Sequence, residues 1–151
     1  MASKQSGTPG AFSRWMQRTM NTRMTAKIRR GKGTFAGMNV LILHTVGQRS
    51  GQHRESPVSY FADGDNAWLI VASGGGSRNP DWYGNLMAHP EHAAIELPGR
   101  EGQPVAPLRL AGDERAQAWQ RITTASPRYD KYQRKSEREY PVVRLSGSAA
   151  R

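Results

Sequence analysis

The feature that most constrains this chain is the brevity of the gaps between its apolar runs. Val40–Thr45 (VLILHT), Arg54–Ala62 (RESPVSYFA) and Ala67–Ser73 (AWLIVAS) follow one another across Val46–Gln52 and Asp63–Asn66. Connections that short join antiparallel strands, because a parallel crossover needs about a dozen residues or more. Asp63-Gly64-Asp65-Asn66 reads as a hairpin turn. Pro57 offers no ladder N–H, so the second strand is expected to have an edge or a bulge there. Two more strands are predicted at His92–Leu97 and Pro104–Leu110 around a Gly99–Gly102 turn, and a last one at Val142–Leu145.

Helical patterns surround these strands. Over Ala11–Arg30 the residues Phe12, Trp15, Met16, Met20, Met24 and Ile28 recur at three- and four-residue spacings, one apolar stripe among cations. Asn79 and Pro80 read as an N-cap and first-turn proline for a short helix through Trp82 and Leu86 to about His89, closed by Pro90. Asp113 to about Thr124 and Pro127–Lys135 are two further helices. About six antiparallel strands with peripheral helices predict an α+β fold of the β-barrel type. It forms one domain over residues 11–145, with a disordered lead at 1–10 and a loose tail at 146–151.

Composition narrows the function. The chain has 151 residues and no cysteine, which excludes a disulfide framework, a thiolate metal site and a cysteine nucleophile, and fits a reducing cytoplasm. No secretory signal and no membrane-spanning run is read. Lys plus Arg exceeds Asp plus Glu by 22 to 12, a net charge of +10, which favours polyanionic partners. Nucleic acid is set aside, since neither an aromatic RNA-binding sheet signature nor a helix-turn-helix stands out. The basic N-terminal helix has two readings: a peripheral membrane contact, or a stripe packed over the barrel.

Three constellations carry possible chemistry. Gly47-Gln48-Arg49-Ser50-Gly51, followed by Arg54, offers turn amides, a hydroxyl and two guanidinium groups, the parts that grip a phosphate or carboxylate. The same residues also fit an ordinary hairpin turn with solvated arginines. Ser73-Gly74-Gly75-Gly76-Ser77-Arg78-Asn79-Pro80-Asp81-Trp82 ends a strand in glycines and opens a helix, whose N-terminus attracts anions. It lacks the Walker pattern, and it equally fits a linker before a helix with a core tryptophan. Tyr129 and Tyr132, with Tyr140 further on, either donate protons at a site or pack the core. No metal site is assigned: of His44, His53, His89 and His92, only the last pair has ligand-like spacing, and Pro90 interrupts it. No Gly-x-Ser-x-Gly elbow is present.

Taken in order, these segments resemble the deazaflavin-dependent nitroreductase family, the split β-barrel F420-dependent oxidoreductases of actinobacteria. The resemblance runs from Leu41 to Leu145. Its carriers are TVGQRSGQHR (45–54), VASGG (71–75), NPDWYGNL (79–86), YDKYQ (129–133) and a final Pro141-Val142-Val143 strand. It implies a split barrel that transfers a hydride from reduced F420 to a quinone, a nitroaromatic or an activated alkene. Gln48, Arg49, Ser50 and Arg54 then face the cofactor's phosphate and acidic tail. Val71, Ala72, Ser73 and Gly74 run along the deazaflavin ring, and Asp81, Trp82, Tyr83, Gly84 and Asn85 form the helix start on the phosphate side. Tyr132 and Tyr129 fall near the ring and the small-molecule acceptor, as the catalytic candidates. FMN is the alternative cofactor, and an F420 carrier without its own reaction is the alternative function. Ser59 and Gly74 stand where nitroimidazole-activating relatives can have a tyrosine and a lysine, Gln48 replaces a frequent basic residue and Ser136 a usual threonine, which makes a quinone or another conjugated acceptor as expected as a nitro compound.

Overall fold

A computed structural model of the chain describes residues 21–35, 37–74 and 78–148. The lead at 1–10, the first half of the predicted N-terminal helix (11–20), Gly75, Gly76 and Ser77, and the last three residues lie outside them. Within them are a helix α1 over residues 21–29, β1 (Thr34–Phe35), β2 (Met38–Val46), β3 (His53–Ser59), β4 (Phe61–Ala62) and β5 (Ala67–Val71). Next come α2 (Asp81–Ala88), a 3-10 turn (Pro90–His92), β6 (Ala94–Glu96), β7 (Gln103–Arg109), α3 (Gly112–Ala125), α4 (Arg128–Lys135) and β8 (Val142–Gly147).

All pairings are antiparallel, as the short connections require. The sheet runs β1-β2-β6-β7-β8-β5-β4, and β3 pairs with β2 off that path. β3 therefore has one ladder partner, and Pro57, opposite Ile42, sits on the edge strand its missing N–H demands. Eight strands replace the six expected. Two-residue pieces at Thr34–Phe35 and Phe61–Ala62 are too short for any periodicity, and the run Arg54–Ala62 breaks at Tyr60, whose N–H turns to Asn39 O at 3.0 Å.

Three other boundaries move. The strand predicted from His92 begins at Ala94, because Pro90 sets up a 3-10 turn through His92. The third strand ends at Val71, two residues early. Ser146 and Gly147, assigned to a loose tail, are paired: Ser146 lies opposite both Ala67 and Ala106, and Gly147 opposite Val105. A strand with neighbours on both sides continues as long as they do.

Strand alternation divides the core. Leu41, Leu43, Trp68, Ile70, Ile95, Val105, Val143 and Leu145 point inward with Tyr83 and Leu86 of α2. On the outer face, Leu69, Val71 and Val142 lie under Leu110, Ala118, Ile122, Tyr129 and Tyr140. Val40 and Ile42 are covered by Ile28 of α1, with Met24 beside them. Both faces of β2 and β5 are thus buried, which is why their sequences read as unbroken apolar runs. Over its described residues, the α1 stripe packs on the sheet: Ile28 is wholly buried.

Outward polar positions are tied by ion pairs. Arg144 on β8 bonds Asp63 at 2.6 Å and Glu114 of α3 at 2.8 Å, and Arg121 bonds Asp63 at 2.8 Å. Burial works to raise the Asp63 pKa, but these two guanidinium groups outweigh it and hold it below 3.8.

Candidate active site

The turn after β2 is held by its own atoms. Gly47 N donates to Gln52 O (2.8 Å), Gly51 N to Gly47 O (2.9 Å) and Gln52 N to the Ser50 hydroxyl (3.1 Å). Gly51 sits at φ +70°, which L side chains rarely adopt. Its fourth tie is tertiary: Gln48 N donates to Asn85 Oδ1 of α2 at 3.0 Å. Gly84 is where that approach is closest, since a Cβ there would meet Gln48 Nε2 at 2.5 Å. The first two predicted constellations are therefore one object, with Asn85 buried between them.

What the turn leaves open is its cationic side chains. Arg49 and Arg54 are exposed and have no ion pair or hydrogen bond among the described residues, unlike Arg29, Arg115, Arg121, Arg138 and Arg144. Among the described residues the amides of Arg49 and Ser50 have no acceptor. At the start of α2 no side chain caps the helix. The predicted cap, Asn79, is instead the acceptor of a 2.7 Å bond from Arg138, and Pro80 takes the N-cap position. Tyr83 N donates to Pro80 O at 3.0 Å, while the amides of Asp81 and Trp82 have no acceptor among the described residues. Thr45 Oγ1, just before the turn and opposite Arg54 in the ladder, is the one buried side-chain polar atom without a partner among the described residues.

The remaining predicted residues divide by what they expose. Val71, Ala72 and Tyr83 are buried in the core, so only their backbones can face a ligand. Trp82 is partly buried against the inner core, its ring edge-on to Tyr83 at 6.5 Å. Asp81 is the acidic residue of the α2 first turn. Ser73 N closes a tight bend on Val71 O at 3.0 Å.

Arg138 ties the strand end at Ala72 and Gly74 to Asn79, and the sequence gives no local signal for it. Its guanidinium donates to Ala72 O (3.0 Å), Gly74 O (2.7 Å) and Asn79 Oδ1 (2.7 Å), and lies 4.8 Å from the centroid of the Tyr140 ring. Burial lowers its pKa, with Tyr140 opposing. Its backbone is fixed by Ser136 Oγ and by Gln133, which bonds Arg138 O and Tyr140 N. Tyr140 in turn donates its hydroxyl to Tyr132 O at 3.1 Å. Hydrogen bonds thus tie the turn to α2 through Asn85, and tie Asn79, just before α2, through Arg138, Gln133 and Tyr140 to α4.

The two tyrosines of α4 differ in kind. Tyr132 is 45% exposed, whereas Tyr129 is buried, hydrogen-bonded to Ser59 and edge-on to both Tyr132 and Phe61 at 5.8 Å. Burial raises the Tyr129 pKa, with the Ser59 bond opposing. Tyr129 therefore braces Tyr132, and only the latter is open to solvent. A cleft of about 450 Å³ between β4 and the α3–α4 junction, with Tyr60, Phe61, Arg121 and Arg128 in its wall, includes none of the predicted site residues.

A curled antiparallel barrel with an arginine-bearing turn locked to a helix N-terminus, beside a glycine-bearing strand end, defines a split-barrel protein. A solved F420-H2 dependent reductase (FDR-A) is similar to it, with 29% identity and a TM-score of 0.62 over 71% of this chain and 93% of that one. Campylobacter jejuni ChuZ shares the fold alone, with 16% identity and a TM-score of 0.54 over 93% of this chain and 55% of its own. An F420H(2)-dependent quinone reductase of Mycobacterium tuberculosis (strain ATCC 25618 / H37Rv) is 36% identical over 146 residues, 89% of this chain and 97% of the relative. The sequence profile of the F420H(2)-dependent quinone reductase family matches residues 15–146, and the chain belongs to that family.

Proposed function

We infer that this chain is an F420H2-dependent reductase with a quinone as its acceptor. The observation that carries the reading is the pair of unengaged arginines, Arg49 and Arg54, beside the free amides of Arg49 and Ser50 on a turn that α2 holds rigid. F420 carries a phosphodiester and an oligoglutamate tail, and this donor set fits both. The partnerless Thr45 hydroxyl at the base of the turn fits a polar group arriving there.

When bound, the reduced deazaflavin supplies a hydride as a two-electron unit. A quinone that takes the hydride also needs one proton to become the hydroquinone. In this reading Tyr132, whose exposure on α4 supports the role, gives it from its phenol, and solvent then restores that proton. Tyr129 positions the Tyr132 ring and Arg138 positions the 72–74 backbone. The small residues along that strand end leave room for a flat ring. Helix α1 acts as a packing element over residues 21–29, and no helix among the described residues is long and apolar enough to cross a membrane. A cytoplasmic location is the reading that the cysteine-free composition favours.

Titration of the purified chain with F420, and separately with FMN, following tryptophan or cofactor fluorescence, tests this. Saturation by F420 at micromolar or lower concentration, followed by F420H2 oxidation on adding menadione, is expected. Arg49→Ala or Arg54→Ala is expected to raise the F420 dissociation constant about tenfold to a hundredfold (1.4 kcal/mol per factor of ten) and leave the melting temperature unchanged. Saturation by FMN alone would move the protein to a flavin, and tight F420 binding with no acceptor reduced would make it a carrier.

A further inference from the structure

Away from the cofactor turn, the outer face of the β2–β3 hairpin gathers five ionisable side chains. We propose that His44, His53 and Glu55 on this face form a binding site for a divalent transition metal, held by two imidazole nitrogens and a carboxylate. The register makes the group: His44 lies opposite Glu55, and His53 follows the same face of β3 two residues away. Arg54, between them, points to the opposite face, so this site is separate from the F420 grip.

The ligand atoms already converge. His44 Nδ1 is 2.7 Å from His53 Nε2 and 3.9 Å from Glu55 Oε2, and all three donors lie within 4.8 Å of one another. Two donors of one tetrahedral ion at about 2.1 Å are about 3.4 Å apart. A shift of about 0.7 Å at the tip of exposed His53 opens the first distance to that value, and Glu55 closes on His44 by about 0.5 Å.

Glu96 orients the His44 ring and selects its tautomer. It lies 2.6 Å from His44 Nε2, and Arg29 bonds both its oxygens, at 3.0 and 2.7 Å. An ionised carboxylate there accepts the Nε2 proton of His44, so the lone pair of the neutral ring is on Nδ1, aimed at His53. A carboxylate behind a histidine is how metal-binding imidazoles are oriented and made more basic. The local charge also suits a cation. Glu55 and Glu96 against Arg29 leave the cluster at −1 with neutral histidines, in a chain of net +10. Two imidazoles with one carboxylate select zinc, nickel, cobalt or copper over magnesium and calcium, which take all-oxygen shells.

The test is calorimetric titration of the tag-free, EDTA-stripped full chain with ZnCl2, with CoCl2 added in parallel to follow visible absorption. One equivalent at a micromolar dissociation constant and a cobalt band in the visible are expected, with no response to MgCl2. His53→Ala and Glu55→Gln should each weaken zinc at least tenfold. His53 is exposed, so its variant keeps the fold, checked by circular dichroism. The His89→Ala/His92→Ala double variant, which removes the other close histidine pair, should bind as wild type does. No heat and no cobalt band up to millimolar metal overturns the proposal. So does a His53→Ala protein that retains full affinity, or loss of binding in the His89/His92 variant.

Discussion

Replacing Arg138 by alanine frees three partners that lie far from it in the sequence. The guanidinium makes three charge-assisted hydrogen bonds, to Ala72 O, Gly74 O and Asn79 Oδ1. Bonds of this kind contribute about 1.5–3 kcal/mol each when buried. Arg138 is only partly buried, and water replaces some of what is lost, so the sum is about 2–4 kcal/mol. With a urea slope of about 2 kcal/mol per molar, the unfolding midpoint should fall by about 1–2 M. The freed carbonyls also loosen the segment proposed to run along the deazaflavin. F420 affinity should therefore drop about tenfold, or about 1.4 kcal/mol. Lysine at this position keeps the charge and loses the planar fork, so Arg138→Lys should recover less than half of either effect. Urea unfolding and fluorescence titration of the three proteins provide the measurement. An Arg138→Ala protein whose midpoint shifts by less than about 0.3 M and whose F420 affinity is unchanged would refute the bracing role.

Two further outcomes are expected. Asp63→Asn removes a carboxylate bonded to Arg121 and Arg144 while keeping a turn-compatible side chain, and should cost about 1–3 kcal/mol at pH 7. Because the folded pKa of Asp63 lies below 3.8, its stabilisation is complete above that value and lost as the pH falls through the folded one. Wild-type and variant stabilities, measured by denaturant titration from pH 7 to 2.5, should thus converge at the acid end. Tyr132→Phe should leave stability within about 0.5 kcal/mol, because its hydroxyl bonds no described residue, and lower quinone-reduction kcat tenfold or more. Tyr129→Phe, which loses the Ser59 bond, should instead destabilise by about 1 kcal/mol with a smaller change in kcat.

The two tyrosines also show how far residue order reaches. Their three-residue spacing placed them on one helical face, and their rings do touch. Which one is sealed behind Phe61 and which is open is a matter of where α4 docks, and spacing holds no information on that.

By itself the sequence determined what short-range physics controls. Brief connections imposed antiparallel pairing, Pro57 imposed an edge, and the apolar runs imposed strands buried on both faces. The motif order pointed to the F420-dependent split barrel, to which the family match belongs. Tertiary structure alone decided the rest. Gln48 meets Asn85 across 37 residues, Arg138 reaches Ala72 across 66, and Arg29 reaches Glu96 across 67. Asn79 looks like a helix cap locally, yet it serves Arg138, because a guanidinium brought in by folding is a stronger partner than a helix amide. Likewise His44, His53 and Glu55 read as scattered residues until the register of one hairpin sets them on a single face. Contacts of this kind depend on how strands curl and where helices settle, which local propensity does not encode.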